Sequence, residues 1–138
     1  MIFVDTGAFY ALADRNDMNH RKAAAYYRDV YPHEILATSI PIATETWMLI
    51  NARLGPYPAE VFFESIASDI FAMLRTDPAT LAEAARIEEK YRDVHLGFVD
   101  CTSLALLERE QLCDVFTFDR KHFSFYRPEF TKHLNLLP

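Results

Sequence analysis

Two short apolar runs in this chain each lead into an aspartate, and this pattern constrains the fold more than any other feature. Residues 1–4 run straight into Asp5, and residues 115–118 are followed by Asp119. Apolar runs of this length are typical of strands that are buried on both faces of a parallel sheet. Because ligands bind beyond the carboxyl ends of such strands, the sequence predicts that the two acids meet at one edge of a sheet.

Segments with helical and strand-like patterns alternate along the rest of the chain. Thr6-Gly7 is expected to turn the chain, Gly55-Pro56-Tyr57-Pro58 to form a loop, and Pro32 to help end the second helix. The alternation predicts βαβ units and a mainly parallel sheet within one domain spanning residues 1–138. Strands are predicted over 2–5, 34–38, 70–74, 115–118 and 134–137, and helices from residue 8 and over 20–30, 41–53, 58–68, 79–91, 99–110 and 120–125.

Composition narrows the class of protein. Hydrophobic residues make up 51% and charged residues 25%, as in a folded domain, and no stretch approaches the roughly 20 apolar residues of a membrane helix. Cys101 and Cys113 match neither a metal-ligand spacing nor a disulfide framework, and no basic segment precedes the first strand, so we expect a reduced, cytoplasmic protein. The net charge of −6 argues against a large, non-specific nucleic-acid surface.

Four of the 20 acidic residues differ from the rest. Others, such as Glu83, Glu88 and Glu89, lie in helical stretches three or four residues from Arg or Lys, where a solvated, salt-bridged face explains them. Asp5 and Asp119 follow buried strands, and Asp100 lies at a helix start. Glu45 lies in an apolar helix without a basic neighbour before Arg53, which is costly for a core residue unless something positive meets it. Each of the three aspartates has an alternative use as a helix cap or first-turn residue.

Convergence of the four acids would require a cation, because like charges a few ångströms apart cannot all ionise. Carboxylate oxygens are the ligands that Mg²⁺ and Mn²⁺ prefer, and no set of His and Cys residues competes for zinc. A metal held in this way lowers the pKa of a bound water and neutralises charge on a phosphodiester. The reaction class that follows is phosphodiester hydrolysis.

Each of the four acids lies in a short motif, and the motifs follow a fixed order. They are Val4-Asp5-Thr6-Gly7-Ala8, Thr44-Glu45-Thr46, Phe98-Val99-Asp100-Cys101 and Phe116-Thr117-Phe118-Asp119-Arg120-Lys121-His122-Phe123. This ordered set resembles the PIN-domain ribonucleases, and among them the short VapC-like toxins of type II toxin–antitoxin systems. The similarity covers almost the whole chain.

The resemblance implies an α/β fold with a central parallel five-stranded sheet, ordered 3-2-1-4-5 and flanked by helices. It also implies an endoribonuclease that depends on Mg²⁺ or Mn²⁺. Asp5, Glu45, Asp100 and Asp119 would be the catalytic, metal-binding acids, and the hydroxyls of Thr6 and Thr117 would hold water or a carboxylate beside them. The motifs do not decide which acid orients the attacking water.

The resemblance further implies an RNA substrate, a homodimer, and a small antitoxin protein whose tail occupies the groove of the site. Contacts to RNA are expected from local basic residues, with surface solubility as their alternative use. These residues are Arg15, Arg120, Lys121 and His122. Four aromatic residues are candidates for an antitoxin or dimer surface, with core packing as the alternative. They are Tyr26, Tyr27, Phe62 and Phe63.

Two other classes of protein compete with the nuclease. A PIN-like module that binds RNA or a protein partner without cutting is one, and the four intact acids argue against it because a scaffold has no need of their mutual repulsion. A phosphatase of the haloacid dehalogenase type is the other. It resembles this chain in the Asp after the first strand, but it needs a second Asp two residues later, where this chain has Gly7.

Overall fold

The computed structural model describes residues 1–31 and 33–138, so Pro32, with its expected part in ending the second helix, lies outside the described residues. None of the helices in these two ranges is long and apolar enough to cross a membrane. The strands are β1 (Ile2–Val4), β2 (Leu36–Ser39), β3 (Ala72–Leu74), β4 (Asp114–Phe116) and β5 (Asn135–Leu137). The helices are α1 (Thr6–Ala13), α2 (His20–Val30), α3 (Ile40–Leu54), α4 (Pro56–Ala67), α5 (Pro78–Lys90), α6 (Phe98–Glu110) and α7 (Arg120–Phe125), with a 3₁₀ turn at Arg92–Val94.

All five strands pair in parallel, in the order β3-β2-β1-β4-β5, which confirms the predicted α/β fold and its strand order. The central strand β1 pairs with β4 in a register that sets Val4 opposite Phe116. Both side chains are at most 1% exposed, as expected for strands covered by helices on both faces. This register brings the carboxyl ends of β1 and β4 to the same edge of the sheet.

Aromatic side chains from the helices close the core over the sheet. The ring of Tyr26 on α2 lies edge-on to Phe116, with centroids 4.8 Å apart. Phe9 on α1 packs edge-on against Phe62, at 5.3 Å. Phe62 is only 8% exposed, whereas its neighbour Phe63 is 64% exposed and lies outside the core.

Two predicted connections are wrong, in both cases because a helix begins earlier than expected. Thr6 and Gly7 lie in the first turn of α1, so Asp5, in extended conformation, is the one residue between β1 and α1. The expected loop at residues 55–58 shrinks to Gly55, whose φ of 94° lies in the left-handed region that favours glycine. Pro56 then starts α4, because a first-turn residue needs no N–H hydrogen bond.

Candidate active site

The four acids, Asp5, Glu45, Asp100 and Asp119, lie at the carboxyl edge of the sheet, each in a different segment. Asp5 follows β1 directly, and Glu45 lies in the second turn of α3, which follows β2. Asp100 lies in the first turn of α6, and Asp119 is the N-cap of α7, shortly after β4. Hydrogen bonds and a histidine connect these side chains.

Asp5 is the buried member of the group, at 6% exposure. Its backbone N–H donates to the carbonyl of Phe116 at 3.1 Å, which continues the pairing of the two strands. The hydroxyl of Thr117 donates to Oδ2 of Asp5 at 2.9 Å and accepts from the backbone N–H of Asp119, also at 2.9 Å. One threonine therefore contacts both acids that follow the central strands.

Glu45 is exposed, so the expectation that it is an unpaired acid among core residues is wrong. The reason is that α3 lies at the surface, where even Trp47 is 38% exposed. What holds Glu45 at the site is the hydroxyl of Thr6, which donates to its Oε2 at 2.6 Å. Because Thr6 follows Asp5 in the chain, this hydrogen bond brings α3 to the first acid.

His122 connects the other two acids. Its Nδ1 lies 2.8 Å from Oδ2 of Asp119 and 3.4 Å from Oδ2 of Asp100, and its backbone N–H donates to Oδ1 of Asp119 at 3.1 Å. From the sequence, His122 was expected only to contact RNA, and this role was missed. The three-residue spacing from Asp119 was an available signal, because side chains at i and i+3 share a face of a helix.

The electrostatics of the site favour binding of a cation. Burial raises the pKa of the Asp5 carboxyl from 3.8 to about 6, against the lowering effect of the Thr117 hydrogen bond, and the charge of Asp100 raises it further. Burial, the largest effect, also raises the pKa of Asp100. The neighbouring His122 lowers this pKa, whereas the charges of Asp119 and Glu45 raise it. Mutual repulsion of this kind is relieved when a cation binds among the carboxylates.

The positions of the side chains do not by themselves form a complete ligand set. Within residues 1–31 and 33–138, no three His, Cys, Asp or Glu side chains are grouped so that they could hold a metal ion. Thr6, Thr117 and His122 instead engage the carboxylates of Glu45, Asp5 and Asp119. The chemistry of the donors fits a hard divalent cation, because each carboxylate keeps free lone pairs beside its present hydrogen bonds.

The other residues expected to contact RNA lie at the surface. Arg15 and Lys121 are exposed, and the guanidinium of Arg120 donates to the carbonyl of Pro138 at 3.0 Å. Their contact with RNA stays a prediction.

We expect Asp5→Asn to stabilise the metal-free protein at neutral pH and not at pH 4. A carboxyl whose pKa is about 6 when folded and 3.8 when unfolded binds its proton more tightly in the folded state, so the stability of the wild type falls as pH rises through this window. The full difference corresponds to roughly 3 kcal/mol, which is the upper limit of the gain above pH 6. Urea denaturation in EDTA at pH 4 to 7.5 measures it.

Asp77→Asn is the control of opposite sign. Hydrogen bonds from the backbone N–H and the hydroxyl of Thr80 lower the pKa of Asp77, so its charge favours the folded state. Its replacement should cost stability throughout pH 4 to 7.5, because this contribution is lost only as pH falls below the ordinary pKa of 3.8. A gain for Asp5→Asn that is the same at every pH would contradict the assignment of a raised pKa to Asp5.

The chain is similar to known proteins both in sequence and in fold. Residues 2–129 match the family model described as PIN domain. Ribonuclease VapC26 of Mycobacterium tuberculosis is 26% identical over 127 residues, covering 92% of this chain and 93% of the relative. The 23S rRNA-specific endonuclease VapC20 of the same organism is 30% identical over 120 residues, covering 86% and 89%. A crystal structure of Mycobacterium tuberculosis VapC20, a Sarcin-Ricin loop cleaving toxin, is 24% identical, with a TM-score of 0.82 over 88% of this chain and 92% of that one.

Proposed function

Because this chain belongs to the PIN-domain family, we propose that it is an endoribonuclease that hydrolyses RNA phosphodiester bonds and acts as the toxin of a toxin–antitoxin pair. The observation that carries the proposal is that four carboxylates, from four elements, lie at the carboxyl edge of the sheet, where Thr6, Thr117 and His122 contact them. Two relatives named as a ribonuclease and as a 23S rRNA-specific endonuclease support the RNA substrate. The proposed unit is one PIN domain spanning residues 1–138.

Asp5, Glu45, Asp100 and Asp119 are the proposed ligands of the metal, with Mg²⁺ or Mn²⁺ as the ion that suits oxygen donors. A bound divalent ion would generate a hydroxide-like water and neutralise charge on the phosphodiester.

Neighbouring residues of the chain position these acids. Thr117 orients Asp5, and Thr6 orients Glu45. His122 keeps Asp119 and Asp100 close to one another despite their like charges. Burial of Asp5 excludes water from that carboxylate, which strengthens its interaction with a cation.

We expect metal removal to abolish cleavage by the purified protein. The substrate is a pool of structured RNAs that includes the sarcin–ricin loop of 23S rRNA, incubated with Mg²⁺, Mn²⁺ or EDTA and read by primer extension. Cleavage at defined positions should appear with either metal, disappear in EDTA, and return when excess metal is added. Equal cleavage in EDTA would contradict a metal-dependent enzyme.

The second candidate is a PIN-like module that binds RNA or a protein partner without cutting. The one observation that favours it is the lack of a ready three-ligand group among the described residues. Titration calorimetry with Mn²⁺ separates the two candidates when it is run beside the cleavage assay. Metal binding without cleavage of any RNA in the pool would favour the module.

The proposed partners are an antitoxin protein and a second copy of the chain. A groove of about 390 Å³ between α3 and α4 is the proposed seat of an antitoxin segment, with Trp47 and the 64% exposed Phe63 in its walls. Ile40 and Thr44 also line an adjoining groove that contains Glu45, so a segment bound here can reach that acid.

A separate apolar groove supports the homodimer. It measures about 500 Å³, and the exposed side chains of Tyr57, Val61 and Ile70 are among those that line it. Exposed apolar groups clustered in this way are typical of protein–protein contacts.

The cytoplasm is the proposed location. An RNA substrate and two free cysteines, Cys101 and Cys113, support this assignment, because persistent disulfides belong to oxidising compartments.

A further inference from the structure

A groove of about 510 Å³ opens beside Glu45, between the start of α3 and the start of α6. Its apolar walls include Ile40, Met48 and Phe98, which are 57%, 60% and 68% exposed. Exposed apolar side chains that line one groove together, rather than lying singly on the surface, are typical of a binding site.

The surface that the groove presents to a ligand is mainly apolar. The hydroxyl of Thr44 donates to the carbonyl of Ile40 at 2.8 Å, so this polar group is already used within α3. In the part of the chain that the structure describes, no Lys or Arg lines the groove. A phosphate therefore has no partner here, whereas the flat face of a nucleobase does.

The position of Phe98 connects the groove to the acids. Phe98 precedes Asp100 by two residues in the first turn of α6, and the hydroxyl of Thr102 donates to its carbonyl at 2.7 Å. Glu45 lines the same groove from α3. Because Glu45 and Phe98 line one groove, a base that neighbours a phosphodiester bound at Glu45 would lie beside the exposed ring of Phe98.

We infer that this groove is a subsite for an unpaired RNA base next to the scissile phosphodiester, with Phe98 as its stacking platform. The inference rests on the proposed RNA-cleaving function. Aromatic side chains stack bases of any identity, and RNA exposes unpaired bases in loops and single strands. Phe98 therefore selects unpaired RNA over duplex, without reading the base.

The test compares two labelled eight-residue probes, oligoadenylate RNA and an abasic ribose–phosphate chain with the same charges. Fluorescence anisotropy is measured in Mg²⁺ on the full chain carrying Asp119→Asn, to prevent cleavage. We expect the RNA to bind roughly tenfold more tightly than the abasic chain, and Phe98→Ala to remove this preference. Phe98→Trp should retain it. So should Phe125→Ala, which removes an aromatic ring of 51% exposure that does not line the groove.

The outcomes separate the subsite from the nuclease. RNA cleavage by the wild type, together with no preference for bases in the Asp119→Asn protein, would overturn the subsite alone. A preference that Phe98→Ala removes, in a protein that cuts nothing, would support the subsite and refute the nuclease. An unchanged preference in Phe98→Ala, combined with weaker binding of an antitoxin, would assign the groove to a protein and overturn the inference.

Discussion

RNA cleavage is expected to fall by roughly a hundredfold or more when either Asp5 or Asp119 is replaced by Asn. The amide has the shape of the carboxyl but lacks its charge, so it cannot balance a divalent cation or hold it against the phosphodiester. Both residues contact Thr117, which places them at the same edge of the sheet. Single-turnover cleavage of the RNA cut by the wild type measures the effect, with circular dichroism as the check on folding.

Asp114→Asn is the matched control for these two variants. Asp114 begins β4, at the opposite edge of the sheet from Asp119, and its Oδ1 accepts a hydrogen bond from the side-chain amide of Asn135 at 2.7 Å. The Asn variant keeps an oxygen for that bond, so we expect cleavage at the wild-type rate. Wild-type cleavage by folded Asp5→Asn and Asp119→Asn would point to a contaminating ribonuclease and remove these acids from the site.

Phe116→Ala has the largest expected effect on stability, a loss of about 3–5 kcal/mol. The side chain is fully buried in β4, next to the central strand, and its ring contacts Tyr26 and also Phe118, whose centroid lies 6.1 Å away. Truncation leaves a cavity that a three-residue strand paired on both sides cannot collapse to fill. We expect thermal melting to fall by roughly 10–20 °C.

Phe125→Ala controls for the loss of a phenyl ring as such. Phe125 ends α7 and is 51% exposed, so we expect its truncation to cost less than about 1 kcal/mol. Equal losses for the two variants would contradict the burial of Phe116. Because Thr117 follows Phe116 directly, the stability and cleavage of the Phe116 variant should also fall together as temperature rises.

The alternating pattern was sufficient for a mainly parallel sheet, because the strands are short, apolar and separated by helical segments. The strand order came from the resemblance to PIN-domain ribonucleases. The acids at the ends of β1 and β4 followed from the same logic, since parallel neighbours end at one edge. The start of α4 was missed because proline breaks a helix in its interior but suits its first turn, and the letters Gly55-Pro56 fit either case.

Details of the site depended on contacts between distant segments. The apolar neighbours of Glu45 suggested a buried helix, whereas α3 leaves Trp47 and Met48 exposed at the surface. Nothing local distinguishes an apolar side chain in a core from one in an open groove. The contact of His122 with Asp100 depends on how α6 and α7 pack, so spacing within α7 could reveal only its contact with Asp119.

The hydrogen bond between Thr117 and Asp5 joins residues 112 positions apart, across the two adjacent strands β1 and β4. During synthesis β1 leaves the ribosome long before β4. The central strand β1 therefore lacks its neighbour β4 until about 110 further residues have been made. Pairing at this separation is slow, because the entropy of closing a long loop comes before any gain from contacts. A nascent chain therefore lacks the complete acid cluster until β4 and α7 have emerged. For a nuclease proposed to cut RNA, this topology withholds the acid cluster until residues 114–125 have left the ribosome.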